Sequence, residues 1–412
     1  MKPIKFIIVK KFPALLFLVI AVIFTGCNQS IERENSKDSD YYVAAYVWPS
    51  CHDEEMSREA FWGEGIGEWE IIQKGTQRFE GHYQPRIPLW GYRMDDDPKA
   101  WEQKITAALD HGVNTFIFDW YWYDGKPYLE STVNNGFLKA ANNEQANFYL
   151  MWANHDVPGK MWNPYKYKTD SLIWTGEVDW DNFKIIVDRV IGQYFKKENY
   201  LKIDNEPVFS IYSLDDLVQS FKTIEDTRKA LDYFREKVKE AGFPGIHFQA
   251  VGRGSENPYL LGGQYGREMD INEIVSALGL NSVTMYNMAG SRPVDYIRYG
   301  QLSLSLREKY DATLEIPFFP CVSVGWDNTP RYPDRGKEYV VHLHSNPESF
   351  GALLIKAKQY ADGHPDQPKL IVINAWNEWV EGSYLEPDFK WGYGYLETVR
   401  KVMSGIYDKY RY

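Results

Sequence analysis

Two glutamates three positions apart, Glu378 and Glu381, stand in the tryptophan-rich segment Asn374-Ala375-Trp376-Asn377-Glu378-Trp379-Val380-Glu381-Gly382, with Glu386 close behind. A carboxyl pair divides acid–base work on one bond when one member is held protonated and the other ionised. On a helical turn, residues at this spacing share one side, with β-carbons roughly 5–6 Å apart. That separation accommodates two carboxyls acting on one glycosidic bond. A bare glutamate pair is weak evidence, since exposed pairs are common; the Asn-Glu-Trp context gives this one weight.

Other polar groups sit among aromatic rings at the ends of apolar runs. They are Asp119-Trp120-Tyr121-Trp122-Tyr123-Asp124-Gly125, Trp152-Ala153-Asn154-His155-Asp156, Tyr286-Asn287 and Val324-Gly325-Trp326-Asp327-Asn328. Aromatic faces pack against the C–H faces of sugar rings, while Asp, Glu and Asn hydrogen-bond hydroxyls. The candidate substrate contacts are therefore Tyr46, His82, Asp119, Trp120, Tyr121, Trp152, Asn154, Tyr286, Trp326, Asp327, Trp376 and Asn377. The candidate catalytic pair is Glu378 and Glu381. Each contact has a packing alternative: Asp119 could cap a strand, the loop around Trp326 could simply be packed, and His82 could be a structural loop histidine. The triplet Asp95-Asp96-Asp97 resembles a metal-binding cluster, but it precedes a helix and is better read as favouring that helix's N-terminus.

The elements that must position these groups are short and apolar. Strand candidates are Tyr42 to Tyr46, Thr115 to Trp120, Phe148 to Trp152, Pro207 to Ile211, Gly245 to Ala250, Ser282 to Tyr286, Phe318 to Val322 and Leu370 to Ile373. Runs of this kind suit strands buried on both faces. Helical stretches fall between them: Pro98 to His111, Trp180 to Phe195, Arg228 to Ala241, Ile271 to Leu278, Val294 to Tyr310 and Pro347 to Tyr360. Strand and helix in alternation predict an α/β fold, a single (β/α)8 TIM barrel. A doubly wound sheet is the rival, but its Gly-x-Gly-x-x-Gly turn after the first strand is absent. In a barrel, chemistry gathers at the C-terminal strand ends, where the candidates lie. Glu206 precedes its strand and is set aside.

The 412 residues include 15 Trp, 30 Tyr and 21 Phe, with 25% charged residues and a net charge of -11. These values exclude intrinsic disorder and argue against a non-specific nucleic-acid binder. Lys2, Lys5, Lys10 and Lys11 precede the apolar run Phe12 to Phe24 and then Thr25-Gly26-Cys27. That run is short for a bilayer span but suits a signal peptide. Small residues before a cysteine resemble a bacterial lipoprotein cleavage site, with lipidation at Cys27. The expected organisation is a leader over residues 1–26, a polar tether over 27–40 and a catalytic barrel over 41–412. Membrane attachment would run through the Cys27 lipid, in the cell envelope as an outer-membrane lipoprotein. Scattered histidines give no zinc pattern, so neither metal nor cofactor is expected. Cys51 and Cys321 lie far apart in sequence, and nothing else suggests a disulfide scaffold.

Taken together, Asn374 to Asp388, Gly81-His82-Tyr83-Gln84-Pro85-Arg86, Trp152-Ala153-Asn154, Lys202-Ile203-Asp204 with Pro207-Val208-Phe209, and Gly325 to Arg331 resemble motifs of WbsX-type proteins. These belong with glycoside hydrolase family 99 and its relatives. The resemblance implies a barrel-fold, endo-acting, retaining glycosidase for α-mannosides whose Asn-Glu-Trp-His-Glu-Gly motif carries two catalytic glutamates. Carried over, Glu378 would deprotonate the sugar 2-hydroxyl to give a 1,2-anhydro intermediate, and Glu381 would act as general acid and then base. Val380 stands where the mannosidases have His, which bears on the substrate more than on the chemistry. WbsX-type proteins are often labelled glycosyltransferases. Three readings follow: a glycoside hydrolase acting within a complex glycan, a glycosyltransferase of surface-polysaccharide assembly, and a carbohydrate-binding lipoprotein without turnover.

Overall fold

The computed structural model describes residues 40–254, 257–287, 294–333 and 340–406. The leader, Cys27 and the tether up to residue 39 lie outside the described residues. The described residues fall in one compact unit, Asn35–Tyr412.

Nine strand segments form a nearly closed parallel barrel. In chain order they are β1 (Tyr41–Val47), β2 (Thr115–Tyr123), β3 (Asn147–Trp152), β4 (Glu206–Ile211) and β5 (His247–Gly252). β6 (Ser282–Met285), β7 (Phe318–Phe319), β8 (Cys321–Ser323) and β9 (Lys369–Asn374) complete the barrel. Their order around it is β7-β6-β5-β4-β3-β2-β1-β9-β8. β1 pairs in parallel with β9, Val43 opposite Ile371, and with β2, Ala45 opposite Phe116. All nine residues of β2 are buried, as both-face burial in a parallel barrel requires.

The expected Phe318 to Val322 strand is split at Pro320. Proline has no N–H to donate, so the ladder breaks there. Phe318–Phe319 stays with β6, Cys321–Ser323 turns to β9, and the Pro320 carbonyl accepts from Val372 N at 2.9 Å.

Helices fill the return connections. α1 (Pro98–Asp110) has Pro at its first position and Asp97 as its cap, accepting from Lys99 N at 2.8 Å. Its Trp101 is fully buried against Phe116, Phe118 and Phe137, the contact that seats α1 on the barrel wall. α2 (Trp180–Val190) continues into a π turn at Ile191–Phe195. α3 (Leu214–Phe221), absent from the expected helices, precedes α4 (Ile224–Glu240), which starts at a Thr223 cap, earlier than expected. α5 (Ile271–Leu278) carries a capping box, α6 (Tyr296–Thr313) starts behind the Asp295 cap, and α7 (Pro347–Gly363) starts behind the Asn346 cap. α8 (Gly394–Met403) packs on α7 and was likewise not expected.

Among the described residues no helix is long and apolar enough to cross a membrane, and no His, Cys, Asp and Glu cluster is arranged to hold a metal. Cys51 and Cys321 are both free.

Candidate active site

Strand alternation decides which side chains reach the barrel mouth. On β2, Asp119 and Tyr121 point inward and line a cavity. Trp120 and Trp122 point outward, stacked on each other at 6.0 Å, with the Trp120 indole donating to Glu130 at 2.9 Å. On β3, Met151 faces the cavity, whereas the ring of Trp152 packs on Phe183 of α2.

The glutamate pair is held by a hairpin, where the spacing suggested a helical turn. Asn377–Glu378 pairs antiparallel with Ser383–Tyr384, and Gly382 N closes the intervening turn on the Trp379 carbonyl at 3.1 Å. Gly382 has φ +64°, and a Cβ there would stand 2.8 Å from the Asp327 Cβ. Only glycine meets both conditions.

Three anchors fix this hairpin. The Asn377 amide accepts from Trp48 N at 2.9 Å and donates to the Trp48 carbonyl at 2.9 Å and to Asp95 at 3.0 Å. Lys104 bridges Asp95 and Glu386, 2.8 Å from the latter, and Glu386 accepts from the Trp379 indole at 2.7 Å. Asp327 N donates to the Glu381 carbonyl at 2.5 Å, while the Asp327 carboxylate gathers Gln84 at 2.7 Å, His82 at 2.9 Å and Arg86 at 3.2 Å. Burial works against charge on Asp327, yet the His82 hydrogen bond and the Arg86 guanidinium hold its carboxyl well below the usual range. Of the acidic triplet, then, only Asp97 caps α1; Asp95 is buried and braces the hairpin.

At the mouth, Arg331 joins three carboxylates. Its guanidinium lies 2.8 Å from Glu381, 3.6 Å from Glu378 and 3.1 Å from Glu68, over the face of Trp48. Glu68 also accepts from Ser50 at 3.0 Å and from the Trp48 indole. Opposite, the Tyr286 hydroxyl donates to Asp119 at 2.9 Å and lies 3.5 Å from Glu378. The second Asp119 oxygen is buried without a partner. Burial pushes Glu378 well above the ordinary glutamate value; repulsion from Glu381 adds to this and Arg331 offsets part. Burial also raises Glu381, to about 7, against the pull of Arg331. Asp119 is raised well above its usual value by burial, which the Tyr286 hydrogen bond only partly opposes.

The structure thus brings Asp119, Tyr121, Tyr286, Glu378 and Glu381 to one cavity. Tyr46 lies against it, its ring 4.7 Å from that of Tyr286. The other expected contacts lie elsewhere. Trp120 and Trp152 face the helices, and Trp376 packs edge-on to Phe116 in the barrel wall. Asn154, just past β3, holds the cap of α3 through both backbone groups of Ser213. Asn377, Asp327 and His82 brace the hairpin from behind, and Trp326 lines a separate depression with His344 and Trp391.

Trp48, Met151, His155, Trp162, Tyr212 and Arg331 complete the cavity and were not singled out from the sequence. Arg331 ends the Gly325 to Arg331 motif and His155 sits within a flagged strand end, so a signal existed for both. Glu68, in Gly67-Glu68-Trp69-Glu70, had none. Loss of water around the His155 ring pushes its pKa down, and the Arg253 and Arg331 charges add to this.

The sequence model of the family described as glycosyltransferase WbsX matches residues 43–399. Two proteins of Xanthomonas campestris pv. campestris described as "Uncharacterized protein WxcX" are each 27% identical, over 372 and 365 residues; each match covers 88% of this chain and 49% of the relative. The chain therefore spans about half the length of the curated relatives it matches. Among solved structures, a glycoside hydrolase-like protein superposes with a TM-score of 0.57 at 13% identity, covering 89% of this chain and 94% of the other. The family 99 endo-α-mannosidase from Bacteroides thetaiotaomicron superposes with a TM-score of 0.53 at 12% identity, covering 89% and 97%. At such identities the likeness is one of fold, that of the glycoside hydrolase barrels. With a sequence match that runs from the first barrel strand into the last helix, the chain belongs to the WbsX glycosyltransferase family.

Proposed function

We propose that the protein is a glycoside hydrolase, endo-acting and retaining, that cleaves within a complex glycan of α-mannoside-like or related type. The observation that carries this reading is the convergence of Glu378 and Glu381 on Arg331, with raised carboxyl pKa values, in an aromatic-lined cavity at the barrel mouth. A carboxyl raised to about 7, as Glu381 is, exchanges its proton near neutral pH, as acid–base catalysis requires.

In the proposed sequence, Glu378 takes the proton of the sugar 2-hydroxyl as that oxygen attacks the anomeric carbon. The bond to the leaving oxygen breaks, and Glu381 protonates that oxygen. Glu381 then deprotonates a water that opens the 1,2-anhydro ring at the anomeric carbon, and Glu378 returns its proton to the 2-oxygen. Arg331 lies closer to Glu381, so in the empty site the proton rests preferentially on Glu378. It must pass to Glu381 as the 2-hydroxyl binds, a transfer between two groups that share one guanidinium. The unpartnered oxygen of Asp119 supplies a hydrogen bond for a further hydroxyl. Trp48, Tyr121 and Trp162 offer apolar faces to the ring.

The basic leader and Cys27 support a lipid-anchored location in the cell envelope, where a polymeric glycan is the natural substrate. The test is to incubate the purified chain after Cys27 with α-mannans, N-glycans and bacterial polysaccharides and to identify products by mass. Activity surviving in both Glu378→Gln and Glu381→Gln would remove the roles assigned.

The family's description favours a second reading, a glycosyltransferase of surface-polysaccharide assembly. Saturable binding of a nucleotide sugar by calorimetry, with no hydrolysis of any glycan, would establish it instead. Tight glycan binding without product over long incubation would mark a binding protein.

A further inference from the structure

Beside the carboxylate cavity lies a second one of about 230 Å³, lined by Tyr212, Gly252, Arg253, Tyr286, Ser303 and Leu306 among others. Tyr212 and Tyr286 line both cavities, so the two are neighbours along one cleft. The volume holds several waters and therefore a group larger than a single solvent molecule.

Among the described residues, Arg253 is the one charged residue in this lining. It directly follows β5, at the C-terminal end where barrel ligands bind. Its backbone is locked: N donates to the Tyr259 carbonyl at 3.0 Å, and its carbonyl accepts from Tyr259 N at 3.1 Å and from the Tyr310 hydroxyl at 2.6 Å. The preceding Gly252 is packed so closely that a Cβ would stand 2.5 Å from the Tyr310 hydroxyl.

The side chain, in contrast, is left with little. It lies over the Tyr212 ring at 5.1 Å and makes one long hydrogen bond, 3.5 Å, to the Tyr212 carbonyl. Among the described residues it forms no ion pair, whereas Arg86, Arg189 and Arg331 each pair with a buried carboxylate. Asp216 feels its charge, which offsets part of the rise that burial imposes on that carboxyl, but the two form no ion pair. A guanidinium carries five donors in a planar fork that matches an oxyanion. In a protein of net charge -11, an arginine on a locked backbone beside the cleft, its side chain without a carboxylate partner among the described residues, is suited to receive an anion from outside.

We propose that this cavity is a saccharide subsite for a sugar bearing an anionic substituent, a uronic carboxylate or a sulfate ester, bound by Arg253 next to the bond cleaved at Glu378 and Glu381. The inference rests on the glycoside reading above and narrows its substrate to an acidic glycan.

The test uses the full-length protein with Glu378→Gln, which prevents turnover, and calorimetry. The ligands are glucuronate-containing oligosaccharides, the same oligosaccharides after carboxyl reduction, and sulfated oligosaccharides. Acidic ligands are expected to bind at least about tenfold more tightly than the carboxyl-reduced ones, with a preference that shrinks as salt rises. Adding Arg253→Met should abolish that preference and leave binding of the neutral ligands unchanged, while Arg253→Lys keeps part of it. Stronger binding of the sulfated arm identifies the anion as a sulfate ester. Equal binding of acidic and reduced ligands, or a preference that survives Arg253→Met, overturns the subsite and leaves the glycosidase reading standing. Binding of no saccharide in any arm overturns the acidic subsite, while the glycan screen with products identified by mass decides the glycosidase reading separately.

Discussion

Glu378 and Glu381 share one guanidinium but not one environment, and two predictions belong to that inequality. Glu381 is partly open to the cavity and sits on the nearer Arg331 nitrogen, while Glu378 is buried beside Tyr286. If Glu381 protonates the leaving oxygen as proposed, it matters least when the leaving group needs no proton. Glu381→Gln should therefore retain much more activity on a dinitrophenyl glycoside than on a natural glycan, whereas Glu378→Gln should lose both about equally. The reverse pattern in kcat/KM would exchange the two roles. The second prediction concerns stability. The Glu381 pKa rises on folding from 4.5 to about 7, so the folded state binds more protons and stability falls as pH climbs between those values. The Gln variant escapes that penalty while Arg331 keeps Glu68. It should be more stable than the parent at pH 8 and no more stable at pH 4. Urea melts at the two pH values measure this, and an equal difference at both would refute it.

At the scale of elements, the hairpin that holds the glutamate pair depends on a glycine and on braces far from it in sequence. Gly382→Ala places a side chain at φ +64° and drives its Cβ onto Asp327, which should cost on the order of 2–4 kcal/mol. A shift of about 1 Å in Glu381 should lower kcat roughly a hundredfold, with circular dichroism unchanged. Full activity in that variant would mean the turn is not what sets the carboxyl. This hairpin also marks where sequence reasoning stopped. Apolar runs bounded by turns identify the barrel strands because both-face burial leaves a local signature, and the Pro320 break is explicable from proline's missing donor. The i, i+3 spacing of Glu378 and Glu381 is equally available to a helical turn and to a hairpin, and the pairing of Asn377 with Tyr384 is not a local property. Inward and outward positions alternate along β2 and β3, so Asp119 and Trp120 are equal candidates until the register assigns one to the cavity and the other to the helix layer. Glu68 and Arg331 are invisible as a pair because 263 positions separate them.

At the scale of the whole molecule, the barrel carries every residue of the proposed site. The chain enters β1 at Tyr41, the N-terminal end of a parallel strand, while Asp119, Glu378 and Arg331 gather at the opposite, C-terminal end. Under the proposal that Cys27 bears a lipid, the groups proposed for catalysis all come from the barrel, so activity on a soluble glycan would not depend on that lipid. Expressed in a bacterium that processes lipoproteins, the native chain should partition with membranes and into detergent. Cys27→Ser should move it to the soluble or uncleaved fraction, with kcat/KM on a soluble oligosaccharide unchanged. If the Ser variant still matures at the same position and stays in the detergent phase, Cys27 is not the anchor. If the lipid is confirmed but the soluble variant loses activity, the barrel residues alone do not make the site and the membrane contributes to it.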